Sequence, residues 1–100
     1  MKSAVPLILL ALLPASIASM PAAAKDCQGT FIRDSQNYDN RTDPNKIEQV
    51  DGVIPKGTRD TIVGFMIVSG KKYYVQIRAF LHEPADIRIA PGCKLEKYPP

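Results

Sequence analysis

The chain has no tryptophan, one histidine and two cysteines, and these shortages remove much catalytic and metal chemistry at the outset. A zinc site draws roughly three or four ligands from histidine, cysteine and carboxylates. His82, followed by Glu83-Pro84, does not supply such a set, and it is expected as a solvent-exposed loop residue. No glycine-rich phosphate loop is present, and Ser35, Thr58 and Ser69 lack the local signature of an activated nucleophile. Asp34 and Asp39 are the nearest thing to a carboxylate dyad, but in so polar a stretch they are expected to be solvated. The chain is therefore read as a non-enzyme with no cofactor and no metal.

Charge of one sign is lacking too. Without Lys2, twelve basic residues face ten acidic ones, interspersed along the chain. That balance does not suggest a nucleic-acid binder, although it tolerates an anionic cell-wall or membrane environment.

A spanning apolar run is also absent. A transmembrane helix needs about 20 apolar residues, and Pro14 and Pro21 interrupt the one greasy stretch. That stretch has another meaning. Met1-Lys2 opens it, Ala4 to Leu13 is almost wholly apolar, and Ala22-Ala23-Ala24 closes it before Lys25-Asp26. A charged start, a short apolar centre and a small-residue end predict a cleavable secretory signal over residues 1–24, with a cut after Ala18 as the alternative to one after Ala24. A lipoprotein anchor needs a cysteine directly after small residues, and Cys27 instead follows Lys25-Asp26. The expected product is residues 25–100, one small β domain, periplasmic or secreted.

Domains of that size bury only about 60% of their unfolded surface and often need a covalent staple. Cys27 and Cys93 lie near the two ends of the product, the exported compartment is oxidising, and two cysteines allow one intramolecular pairing. Closing that loop restricts the unfolded chain by roughly 4 kcal/mol, against a net stability of about 5 kcal/mol. A redox pair is the weaker reading, because the cysteines lack the close spacing of a reactive couple.

Strand signals dominate this region. Gly29 to Arg33 reads as a short strand, and Asp34 to Asn40 as a loop of turn formers. Asp43-Pro44 reads as a helix start, with Ile47 and Val50 on one face and Gly52 ending it. Thr61 to Phe80 reads as a β-hairpin: an apolar run interrupted at Gly64 by a bulge or bend, a Ser69-Gly70-Lys71-Lys72 connection, then alternation. The alternation puts Tyr73, Val75, Ile77 and Ala79 on one face and Tyr74, Gln76, Arg78 and Phe80 on the other. Asp86 to Ile89 and Lys94 to Tyr98, separated by Ala90-Pro91-Gly92, supply further strands. The sum predicts an all-β fold, a small antiparallel barrel closed by one disulfide. Tyr74, Arg78 and Phe80 form an aromatic and basic stripe suited to a protein partner or a cell-envelope component.

Phe31-Ile32-Arg33, Pro55-Lys56-Gly57-Thr58, Tyr73-Tyr74-Val75-Gln76-Ile77 and Glu83-Pro84-Ala85-Asp86-Ile87 follow one another as an arginine-bearing strand, a Lys-Gly-Thr turn, an aromatic-rich strand and a final short strand. In that order the chain resembles bacterial Src-homology-3-like (SH3-like) domains, although it lacks their usual tryptophan. The resemblance implies an SH3-like barrel acting as a binding module; an oligonucleotide-binding-type barrel shares the strand patterning. Ser69-Gly70-Lys71-Lys72-Tyr73 is similar to the Ser-Gly-x-x-Tyr loop of exported C-type lysozyme inhibitors, which implies an alternative role as an inhibitor of a lysozyme-like hydrolase.

Overall fold

The computed structural model describes residues 26–100; the expected signal over residues 1–24 lies outside them. Seven strands follow in order: β1 Cys27–Phe31, β2 Ser35–Asp39, β3 Glu48–Ile54, β4 Arg59–Val68, β5 Lys71–Gln76, β6 Leu81–His82 and β7 Ile87–Ile89, with a 3-10 turn at Pro84–Asp86 between the last two. They form one antiparallel sheet in the order β3-β2-β6-β5-β4-β1-β7. The expected all-β fold is present. The expected closure is not: β3 and β7 are outer strands that do not pair with each other, so the strand hydrogen bonds make an open sheet rather than an SH3-like or oligonucleotide-binding-type barrel. Cys27 and Cys93 are joined, with their Cα atoms 5.9 Å apart. Among the described residues no helix is long and apolar enough to cross a membrane.

The β4–β5 hairpin organises the molecule. Ser69 and Gly70 take φ of 51° and 80°, the two positive values of the two-residue turn whose twist matches that of its flanking strands. Val68 therefore pairs with Lys71, Met66 with Tyr73 and Phe65 with Tyr74. Of the bulge or bend expected at Gly64, the structure has the bulge: Ile62 is opposite Gln76 and Gly64 opposite Val75, leaving Val63 as the extra residue. A bulge resets the alternation of faces. Ile62 thus shares a face with Phe65, Tyr74 and Gln76, while Met66 and Val68 share the opposite face with Tyr73 and Val75.

Each face of β5 carries its own core. Val68, Tyr73, Val75 and Leu81 are buried on one, with Tyr38, Ile47, Val63 and Met66 packed against them. Phe31, Ile62 and Ile87 are buried on the other, backed by Ile54, Tyr74, Ile89 and Leu95.

Several expectations fail for identifiable reasons. Asp34 to Asn40 is not a loop, because Ser35 to Asp39 is strand β2 with Ser35, Asn37 and Asp39 turned inward. Tertiary partners overcome the local preference for turns: the Gln36 amide, for instance, donates to the Val50 carbonyl at 2.6 Å. The helix expected after Asp43-Pro44 stops at one turn. The Asp43 carboxylate does accept from the Asn45 N–H at 2.9 Å, but the chain then enters β3, where Val50, Val53 and Ile54 favour extended backbone.

Nor does the second hairpin strand run to Phe80. It ends at Gln76, where the Ala79 N–H returns to the Gln76 carbonyl at 2.6 Å and Ala79 takes φ 74°, leaving Ile77 outside with 56% of its surface exposed. Lys94 to Tyr98 makes one parallel bridge, Lys97 beside Phe65, in place of a full strand.

That bridge matters for position. β1 covers the outer edge of β4 only as far as Ile62, and the C-terminal segment continues from there. The Phe65 N–H donates to the Glu96 carbonyl at 3.0 Å, and the Tyr98 N–H donates to the Phe65 carbonyl at 2.8 Å. Pro99 and Pro100 follow and have no N–H to extend the pairing, a common way of blunting an open edge. The Cys27–Cys93 link anchors the start of this segment beside β1.

Candidate functional site

Two places concentrate functional side chains: a groove on one face of the hairpin, and a polar network buried between the strands.

The groove lies where Phe65, Tyr74 and Lys72 of the hairpin meet Ile89, Lys94 and Leu95 from β7 and the C-terminal segment. Its volume is about 330 Å³. Strand alternation selects the hairpin residues, since Phe65 and Ile67 point to the same side as Lys72 and Tyr74. Phe65, Tyr74, Ile89 and Leu95 are half-buried and Lys72 and Lys94 exposed. Lys72 Nζ sits 4.5 Å from the centre of the Phe65 ring, a cation held over an aromatic face. Its neighbour is spent differently: Lys71 Nζ donates to Glu83 Oε2 at 2.7 Å, and that bond raises the Lys71 pKa above the ordinary lysine value. Among the described residues no carboxylate pairs with Lys72 or Lys94. The groove thus presents apolar surface beside two uncompensated cations.

Of the stripe expected on β5, only Tyr74 is in this groove. Arg78 is exposed on the turn after the strand, and Phe80 lies under the Arg41 guanidinium, 5.3 Å from the ring centre. In the alternative loop, Ser69, Gly70, Lys71 and Lys72 are exposed, and the Ser69 hydroxyl donates to the Asn45 carbonyl at 2.8 Å. Tyr73 turns inward, 8% exposed, and packs on Tyr38.

The network is centred on His82, which is not on an exposed loop: it occupies β6 and is 0% exposed. Its Nδ1 is 2.9 Å from Ser35 Oγ, and the Ser35 hydroxyl donates to Asp86 Oδ2 at 2.6 Å. Its Nε2 is 3.0 Å from Gln76 Oε1, and Gln76 Nε2 donates to Asp60 Oδ2 at 2.6 Å. The Phe31 ring meets the imidazole edge-on with centres 5.0 Å apart. Burial lowers the His82 pKa below 6.5; Asp86, the Gln36 backbone and Asp60 oppose that shift without overcoming it. Asp86 also lies 3.5 Å from Arg33.

A serine, a histidine and an aspartate in contact invite comparison with a hydrolytic triad, but the order is wrong. In a triad the histidine stands between nucleophile and carboxylate; here Ser35 stands between His82 and Asp86. Ser35 is also 0% exposed, so no substrate carbonyl reaches it.

No local sequence signal reveals this network. Ser35 and His82 are 47 positions apart and Ser35 and Asp86 51 apart. The groove had a partial signal in Tyr74 and Lys72; Phe65, Ile89, Lys94 and Leu95 join it only through the topology. No family model, curated protein or solved structure matches the chain.

Proposed function

We propose that this is an exported, non-enzymatic binding module of the periplasm or extracellular space, which captures an acidic segment of a partner protein in the groove between the hairpin and the C-terminal segment. The observation that carries the reading is the pairing of Phe65 and Tyr74 with Lys72 and Lys94. Aromatic surface supplies contact area, and the two cations select for carboxylates and speed encounter. The contacts are held by strands and by the C-terminal segment anchored through Cys93, so little order has to be created on docking. The functional surface is accordingly centred on Tyr74 and Lys72, with Arg78 and Phe80, in the turn that follows β5, as secondary contacts.

The test is capture by the tagged, disulfide-intact protein from its own envelope fraction, with Lys72→Glu/Lys94→Glu alongside. An acidic partner held by the native protein, released by salt and lost by the variant, supports the groove. A partner held equally by both removes it.

A second reading rests on the turn itself. Ser69 and Gly70 project from a tight hairpin end pinned by the Ser69–Asn45 and Lys71–Glu83 bonds, a preorganised, cationic shape suited to a carboxylate-lined enzyme cleft. If an excess of the protein leaves C-type lysozymes fully active, inhibition is not its role.

A further inference from the structure

The buried network has a proton count that its distances reveal. Gln76 Nε2 donates to the Asp60 carboxylate, so Gln76 Oε1 faces His82, and His82 Nε2 must carry a hydrogen to meet it. Turning the amide over would set Oε1 against a carboxylate oxygen at 2.6 Å, acceptor against acceptor. On the other side of the ring, Ser35 has one hydroxyl hydrogen and two acceptors in reach: Asp86 Oδ2 at 2.6 Å and, when the ring is neutral, Nδ1 at 2.9 Å. The shorter, charge-assisted contact takes the hydrogen. Nδ1 is then a buried acceptor with nothing to accept.

We propose that Asp86, Ser35, His82, Gln76 and Asp60 form a buried site for one proton: a neutral His82 leaves one of the four contacts without a hydrogen, and a proton on Nδ1 completes all four. The completed chain runs from Asp86 through Ser35, the imidazolium and Gln76 to Asp60, with a carboxylate at each end. The proton comes from solvent, and no bond other than N–H is made.

The location gives the site a consequence. β6 pairs with β2 through Tyr38 and Leu81 alone and with β5 through two residue pairs, so the β2–β3 pair is joined to the rest of the sheet by a two-residue strand. The network crosses that seam, from Ser35 on β2 through His82 on β6 to Gln76 on β5 and Asp60 on β4. The charged and titratable groups facing it are Asp86 from the 3-10 turn, with Arg33 beside it, Asp60 from β4, and Tyr74 opposite His82 on β5. β1 contributes only the Phe31 ring and β2 only uncharged groups. Burial of the ring opposes the proton and the two carboxylates favour it. Burial prevails, so the site is empty at neutral pH and fills in acid. The seam between the two parts of the sheet therefore responds to acidification.

Nitrogen-detected NMR of the imidazole in the disulfide-intact protein tests this. The expected result is a hydrogen on Nε2 alone at neutral pH, then a second on Nδ1 on acidification while the β2 and β5 amides keep their folded positions. Asp86→Asn is expected to lower the proton affinity about tenfold, because the asparagine amide donates to Ser35 and the Ser35 hydroxyl is freed to satisfy Nδ1 without an added proton. Asp60→Asn lowers it less and provides the same comparison if the first variant does not fold. A neutral ring carrying its hydrogen on Nδ1, a ring that gains its second proton only on unfolding, or variants titrating with the native protein would each overturn the proposal.

Discussion

The two faces of β5 are built from alternate residues of one six-residue strand, yet they are held by different physics. Tyr73 and Val75 join Val68 and Leu81 in a core that asks only for apolar volume. Tyr74 and Gln76 point the other way, into Phe31, Ile62 and Ile87 and the His82 network, where each polar atom needs a partner in a particular direction. The apolar face tolerates any side chain of suitable shape. The mixed face specifies register, because moving Gln76 by one residue would sever His82 from Asp60. In a fold this thin, such a network selects one pairing of β6 among alternatives of similar burial, while apolar burial on both faces supplies the non-directional part of the stability.

Truncation on the apolar face is the largest expected effect. Leu81 is 1% exposed, and Leu81→Ala is expected to cost about 3 kcal/mol from lost transfer energy and the cavity left behind. Urea unfolding near pH 8 and near pH 5.5 should give the same cost at both, since the truncated side chain touches no group that titrates in that window. A cost that changes with pH would show that the two faces are not independent.

His82→Leu breaks the mixed face at similar volume. It leaves Gln76 Oε1 without its donor, while Ser35 keeps its bond to Asp86, and is expected to cost about 2 kcal/mol near pH 8. Here the cost depends on pH, with a definite sign. Burial depresses the folded-state pKa of His82 below 6.5, so the unfolded chain takes up its proton first as the pH falls. The native protein loses this contribution to stability from about the ordinary histidine value down through the lower folded-state value, and keeps it in full above. The leucine variant has no such loss, so the gap between the two proteins should narrow in acid. A gap constant from pH 8 to pH 5 would show that His82 does not titrate differently in the folded state.

How much of this was legible in the sequence follows the same division. Periodicity and turn chemistry revealed what is local: the hairpin from its Ser69-Gly70 turn, the bulge from Gly64, the short strand at Ile87 to Ile89, and the one disulfide its two cysteines permit. β2 was hidden because Ser35, Asn37 and Asp39 are turn formers by propensity and become strand residues only through partners far along the chain. His82 was read as exposed because a histidine between Leu81 and Glu83-Pro84 gives no sign of Ser35 and Gln76 closing over it. Arg78 and Phe80 continue the alternation of Tyr74 and Gln76 on paper. The positive φ at Ala79, which alanine does not advertise, ends the strand before them.

The smallest expected effect sharpens the comparison most, because it strikes the C-terminal segment rather than the centre of either core. A methyl group on Gly64 would meet the Glu96 carbonyl oxygen at 2.5 Å and Tyr98 Cβ at 2.8 Å. Both neighbours belong to the segment that borders the groove, and one of them is backbone, so Gly64→Ala has to push the segment outward. Gly70→Ala is the control: nothing lies within 4 Å of its added methyl, and it meets only the strain of φ 80°. Displacing the segment is expected to cost about 1–2 kcal/mol, limited because the Cys27–Cys93 link still holds its start. Amide hydrogen exchange distinguishes the sites. Phe65 and Tyr98, whose N–H groups bond across this contact, should exchange faster in Gly64→Ala, while Val75 and Leu81 stay as protected as in the native protein. Unchanged exchange at Phe65 and Tyr98 would mean that the segment yields without releasing its hydrogen bonds. A groove wall that soft would adapt to its ligand rather than select it, and the charge preference assigned to Lys94 would then rest on Lys72 alone.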